Sequence, residues 1–356
     1  MKITNVSLRR FDLELSEPYQ IAYETVYSAT NFILQLETDT KIIGFGCAAP
    51  DFVVTKEKPE EVEEAFQNTL LPALKGANPF HFTKIMHDLK LQKTVKSSAL
   101  AMVDMALYDL ISKFSGVPLY KFLGVYRESI PTSVTIGILP FEETMQKAKE
   151  WINKGFFILK IKGGLDWEED FHKLKTLRER FPKLTLRYDG NQGLTLVQAL
   201  NFSKAVENLE VEIIEQPLLI SEEKHYFDFS EKTSQPIMAD ESIKTLKDTF
   251  RLAKDNLVDM INIKLMKVGG IQEAFHINSV AKSAGYEVMV GCLDECQLGI
   301  SAGLHFALSR PNIEYADLDS FLDFSSDPFK DLFFLKNGIL YPNGKNGLGL
   351  ESNFKF

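Results

Sequence analysis

Seven apolar runs in this 356-residue chain end on charged side chains. The endings read Lys160-Ile161-Lys162, Asp189-Gly190-Asn191, Glu215-Gln216-Pro217, Asp240-Glu241-Ser242, Lys264-Leu265-Met266, Gly291-Cys292-Leu293-Asp294-Glu295 and Asp317-Leu318-Asp319. Any one of them alone is best read as a solvated loop or a helix cap. Seven in succession point to one rim. Residues two apart on a strand point the same way, so Lys160 and Lys162 emerge together. Burying them is costly unless anions offset their charge, and Asp189, Glu215 and Asp240 close the next three runs. Three carboxylates without histidine or cysteine suit a hard cation such as Mg²⁺. Lys264 falls about four strands further round. Lysines near one another and near a metal have lowered pKa values, which makes a neutral lysine base accessible. Such a site can take a proton from the carbon next to a metal-held carboxylate and stabilise the resulting enediolate. A second lysine that returns a proton to the opposite face gives the epimer.

The elements that position these groups show as a change of pattern. Residues 3–15 and 31–37 alternate like strands, with 41–48 as a hairpin partner. Residues 59–74 are rich in helix formers, and 97–114 have helical spacing that Gly116-Val117-Pro118 stops. These features predict an α+β unit over 1–125. From Thr132 onward, strands are predicted at 133–139, 156–161, 184–188, 211–214, 236–239, 260–263, 287–290 and 313–316. Helices such as 141–154, 168–180, 195–208, 245–255 and 271–284 lie between them. The alternation predicts an α/β barrel over 126–320, with an open doubly wound sheet as the alternative. Residues 321–356 carry turn signals at Asn337-Gly338, Asn343-Gly344 and Asn346-Gly347 and are expected to pack back on the first domain.

Composition narrows the classes. Hydrophobic residues make up 45% and charged residues 25%, as in soluble globular proteins. The formal charge of −9 argues against a nucleic-acid partner, and no apolar run is long enough for a membrane span. Cys47, Cys292 and Cys296 form no CxxC pair, and Met1-Lys2-Ile3-Thr4 leads into a strand pattern and not into a signal-like apolar run. A reducing, cytoplasmic setting is therefore expected. The six histidines form no HxxxH pair, which argues against zinc. P-loop, GxGxxG and GxSxG motifs are lacking. A homo-oligomer is expected.

Taken in order, the strand-end motifs, with Ile263-Lys264-Leu265-Met266-Lys267-Val268-Gly269-Gly270, are highly specific. Over essentially its full length the chain resembles the enolase superfamily, muconate-lactonising-enzyme subgroup. The resemblance implies a (β/α)7β modified TIM barrel with an N-terminal α+β capping domain that the C-terminal segment rejoins. It implies Mg²⁺, one per subunit, on Asp189, Glu215 and Asp240. It implies Lys162 and Lys264 as the acid/base pair, Lys160 as support for the enolate, and Asn191 and Glu241 as supporting groups.

Asp317-Leu318-Asp319 resembles the Asp-x-Asp of dipeptide epimerases, which holds the substrate's N-terminal ammonium. One ion pair at about 4 Å is worth about 4 kcal/mol at an effective dielectric of about 20. Two acids would favour that ammonium and repel the terminal carboxylate of an N-succinyl amino acid. Strand alternation would turn both aspartates the same way. Thr135 matches a position near the substrate. Glu24, in the loop Ile21-Ala22-Tyr23-Glu24-Thr25-Val26-Tyr27, stands where alanyl-glutamate epimerases typically carry a basic residue. The expectation is an epimerase acting on the C-terminal residue of an alanyl-X dipeptide. X is expected to be neutral, small or hydrophobic and not glutamate; a cationic X would be attracted. The alternatives are N-acylamino acid racemase, o-succinylbenzoate synthase or cycloisomerase. More distant ones are a Schiff-base aldolase and a non-catalytic binder. Cys292 and Cys296 read as packing residues, since no histidine partner is evident.

Overall fold

The computed structural model describes residues 1–352 and 354. Near the N-terminus, strand Ile3–Gln20 pairs antiparallel with Thr25–Thr38, which pairs with Ile43–Ala48. The sheet lies on helix Ser97–Phe114 so closely that a Cβ at Gly46 would collide with the Met102 carbonyl. That helix joins two cores. Met102, Val103 and Ala106 pack with the sheet, while Ala101, Met105 and Tyr108 pack with the barrel. Its Asp104 also caps barrel helix Ile271–Ala284, accepting from the Ile271 and Gln272 amides at 2.5 and 3.3 Å. The helix expected over 59–74 is interrupted. Pro59–Ala65 runs into a wide turn at Phe66–Leu70 before Leu71–Leu74 resumes. Pro72 has no N–H to continue the regular ladder across that point.

The second unit is an eight-stranded parallel sheet in sequential order. The barrel strands are Val134–Ile136, Ile158–Lys162, Thr185–Asp189, Val211–Glu215, Ile237–Ala239, Met260–Lys264, Glu287–Gly291 and Ile313–Asp317. A helix follows each of the first seven, and only a short 3₁₀ turn, Ser320–Leu322, follows the eighth. The first and last strands meet where the Ser133 amide donates to the Ala316 carbonyl at 3.1 Å, beside a Thr132–Ala316 bridge. The open-sheet alternative is thereby set aside, and the chain has the expected (β/α)7β architecture. Several helix starts carry caps that their sequences encode. Asp166 accepts from the Glu168 and Glu169 amides, and Thr195 and Thr245 form capping boxes with Gln198 and Asp248.

After the barrel, Phe333–Lys336 pairs with Ile339–Pro342, which pairs with Ile130–Pro131. The same segment touches the N-terminal unit: the Ser16 amide donates to Asp323 O at 2.7 Å, and the Leu348 amide to Asp109 Oδ1 at 2.7 Å. The hairpin tip at Ile21 to Glu24 reaches the barrel mouth, where the Ile138 amide donates to Gln20 O at 2.7 Å. Among the described residues no helix is long and apolar enough to cross a membrane.

Candidate active site

Five of the charged residues expected just beyond their strands are the strands' last residues: Lys162, Asp189, Glu215, Lys264 and Asp317. The parallel register sets Lys162 beside Asp189, and Asp189 beside Glu215. Lys160, Lys162, Asp240, Lys264, Asp317 and Asp319 line one cavity, which Tyr23 and Glu24 of the hairpin tip also line. Asp189 and Glu215 are buried next to it, each paired with the lining residue Lys160.

Lys160 is the hub of this charged cluster. Only 1% exposed, its ammonium lies 2.9 Å from Asp189 Oδ2, 2.7 Å from Glu215 Oε2 and 2.8 Å from Asp317 Oδ2. It donates a hydrogen bond to Asp317 and is ion-paired with the other two carboxylates. Lys162 pairs with Asp189 at 2.7 Å and Lys264 with Asp240 at 2.9 Å. Lys267 also binds Asp240. Beneath them, Asn262 donates to Glu215 Oε1 at 2.8 Å, and Arg187 donates to Ser133 Oγ and Ala316 O at 3.1 and 3.0 Å. Gln216 joins the fourth and fifth strand ends by accepting from the Asp240 and Ser242 amides at 2.9 and 3.2 Å. Asn191 accompanies Asp189, its amide donating to Oδ1 at 3.0 Å, and its side chain donates to Glu241 at 3.2 Å.

These pairings set the protonation states. Burial works against a charged Lys264, but Asp240 more than offsets it and holds the ammonium well above its ordinary pKa. Lys160 is likewise held up against burial by Asp189, Asp317 and Glu215. The facing anions thus hold both lysines protonated, and the lowering expected from sequence belongs to a site in which a metal shares those anions. Burial and the facing Asp189 push Glu215 up to about 8. That strain among carboxylates is what a divalent cation relieves. Among the described residues, no three acidic, histidine or cysteine side chains converge as a ready-made cage, because ammonium groups stand between the acids. The donor set itself, Asp189, Glu215 and Asp240, is all hard oxygen and fits Mg²⁺.

The remaining expected residues also reach the cavity, by routes the sequence did not show. Asp317 ends the eighth strand, with Oδ1 taken by Ser133 Oγ at 2.6 Å and Oδ2 by Lys160. Asp319 lies beyond the strand, at φ −115° and ψ −11°, so a turn and not strand alternation brings it beside Asp317. The Thr135 amide donates to Asp319 Oδ2 at 2.6 Å. The two aspartates are unequal: Asp317 is matched by Lys160, and Asp319 forms no ion pair among the described residues. Glu24 faces the cavity, where burial, Asp51 and Asp294 raise its pKa. Period two could have found Arg187 and Asn262, each two residues before a strand-end charge. Nothing local marked Asp51 or Asp323. Cys292 donates to Asp317 O at 3.3 Å, and buried Cys47 and Cys296 lie with sulfurs 3.7 Å apart.

The raised acids predict a pH dependence of stability. Burial, helped by a facing carboxylate at the first three, lifts Glu241 and Asp319 to about 7 and Glu215 and Glu295 to about 8. A carboxyl raised by folding stabilises fully below its unfolded value of about 4, and that contribution is lost as pH climbs through its folded value. His305, buried and pushed down to about 3, acts oppositely but only below its unfolded value of about 6.5. In chelator, the thermal midpoint should fall between about pH 6.5 and about pH 8.5, and excess Mg²⁺ should flatten the slope. A midpoint that rises across this window in chelator contradicts the assignment.

Comparison with known proteins finds two successive matches along the chain. Residues 3–124 match the mandelate racemase / muconate lactonizing enzyme N-terminal domain, and residues 143–355 match the enolase C-terminal domain-like family. The chain belongs to the mandelate racemase/muconate lactonizing enzyme family of the enolase superfamily. Within that family it is 36% identical to the L-Ala-D/L-Glu epimerase of Bacillus subtilis over 98% of this chain and 97% of the other. It is 37% identical to the L-Lys-D/L-Arg epimerase of Desulforapulum autotrophicum over 99% of each chain. The solved dipeptide epimerase of Enterococcus faecalis V583, complexed with Mg and L-Leu-L-Tyr, superposes with a TM-score of 0.95 at 34% identity. That match covers 99% of this chain and 100% of the other. This family member is an isomerase, of the epimerase and racemase kind.

Proposed function

We propose that the protein is a Mg²⁺-dependent dipeptide epimerase that inverts the α-carbon of the C-terminal residue through an enediolate. One observation carries the reading. Lys162 and Lys264, four strands apart, face one cavity across the arc of Asp189, Glu215 and Asp240. A cation on those three carboxylates supplies Lewis-acid stabilisation of negative charge on the substrate carboxylate. A cation held by Asp240 would draw on the anion that keeps Lys264 protonated and would move that lysine toward a neutral base. One lysine removes the α-proton and the other delivers a proton to the opposite face. Lys160 supports the enediolate electrostatically, and Asn191 and Glu241 steady the strand ends. Asp319 receives the N-terminal ammonium beside Asp317, which Lys160 and Ser133 hold in place; Thr135 orients Asp319 through its amide. One Mg²⁺ per subunit, a homo-oligomer and a cytoplasmic setting belong to the same proposal.

Sequence identity of about 36% to epimerases of differing substrate names supports the dipeptide class and leaves the side chain to local residues. Glutamate as X is disfavoured by Glu24. The neutral X expected from sequence took account of Glu24 alone; Asp51 and Asp294 stand beside it and favour a cation. The test is α-deuterium uptake from D₂O by a dipeptide panel with Mg²⁺, read by mass spectrometry. Uptake at the C-terminal residue, abolished by chelator, is expected. Uptake by N-succinyl amino acids but by no dipeptide would favour the racemase alternative.

A further inference from the structure

The cavity holds more acid than its own lysines can match. Lys160, Lys162 and Lys264 are committed to Asp189, Glu215, Asp240 and Asp317. Glu24, Asp51, Asp294, Asp319 and Asp323 also line the cavity, and among the described residues none of the five forms an ion pair. Three of them make one wall. Glu24 comes from the hairpin tip, Asp51 from the segment after Ile43–Ala48, and Asp294 from the loop after the seventh barrel strand. Neutral donors fix two of these carboxylates. Tyr19 OH donates to both oxygens of Asp294 at 2.8 Å, and the Val53 and Val54 amides donate to Asp51 Oδ1 at 2.7 and 2.9 Å. Burial and then Asp51 and Asp294 raise Glu24, while burial and Asp51 raise Asp294 to about 6.

A second observation points the same way. Glu241, 5% exposed and lining the same cavity, has an oxygen, Oε2, with no hydrogen-bond partner. Asn191, 3% exposed and also lining it, has an unpartnered Oδ1. The cavity is rich in acceptors and short of donors, so its ligand must bring them. Asp294 lines the same cavity as Lys162 and Lys264, so this wall faces the space that the two lysines flank.

We propose that the residue inverted carries a cationic side chain, arginine or lysine, and that Glu24, Asp51 and Asp294 select it. This rests on the epimerase reading. A guanidinium offers five N–H donors in a planar fork and can serve several carboxylates at once; a lysine ammonium offers three. A neutral side chain leaves the wall without a counter-charge, and a glutamate adds another anion.

The full chain with Mg²⁺ is assayed in D₂O with alanyl-arginine, alanyl-lysine, alanyl-methionine, alanyl-glutamine and alanyl-glutamate. The cationic pair should exceed the neutral pair in kcat/KM by about 10- to 100-fold, with alanyl-glutamate slowest. In Glu24→Gln and in Asp51→Asn, the ratio of alanyl-arginine to alanyl-methionine should fall by about tenfold. A ratio taken within one variant does not depend on how much of it is folded. Neutral dipeptides that turn over as fast as cationic ones overturn this inference and leave the epimerase intact. A ratio unchanged in both variants overturns the assignment of the wall. Exchange with no dipeptide at all overturns the epimerase reading itself.

Discussion

Lys162→Ala and Lys264→Ala should each lower epimerisation by about 10²–10⁴-fold, and each should retain α-deuterium exchange from one epimer only. The two variants should retain opposite epimers, because each lysine serves one face of the same carbon. Both proteins should fold. Asp189 keeps Lys160 after Lys162 is lost, and Asp240 keeps Lys267 after Lys264 is lost. Neither change leaves a buried carboxylate wholly unpaired, so the loss reports chemistry and not collapse of the site. The measurement is exchange of separately prepared L- and D-configured substrates in D₂O. Equal loss, or equal survival, of both epimers in both variants would falsify the two-face assignment.

Lys160→Met should act on stability as well as on the reaction. Its ammonium is the shared counter-charge of Asp189, Glu215 and Asp317, and Lys162 replaces it only at Asp189. Removing one member of a buried ionic cluster costs about 3–5 kcal/mol, since the remaining charges are stranded away from water. Denaturant unfolding in chelator should show a loss of that order. Mg²⁺ should recover part of it, since a cation on Asp189 and Glu215 replaces the missing charge. A variant as stable as the parent in chelator would show that the cluster is better solvated than its burial implies.

The strand-end charges were legible because their cause is local. Period two puts Lys160 and Lys162 on one side of a strand, and a run of parallel strands must deliver its endings to one rim. The same rule extends inward to Arg187 and Asn262. It fails at Asp319, which a turn carries into place. A sequence shows that two lysines lie near each other, but not which carboxylate lies 2.7 to 2.9 Å from each. Barrel closure was equally out of reach, since it rests on contacts such as the Ser133 amide with Ala316, far apart in the chain.

By itself, the sequence determined the charged centre of the rim: lysines on the second and sixth strands, three carboxylates between them, and Asp317 at the eighth. These follow from the alternation of side chains within short segments. The tertiary structure alone decided what surrounds that centre. Glu24, Asp51 and Asp294 come from three separate loops, and they meet only because the hairpin tip folds over the barrel mouth. Electrostatic selection depends on distance in space, and no spacing along the chain encodes that meeting.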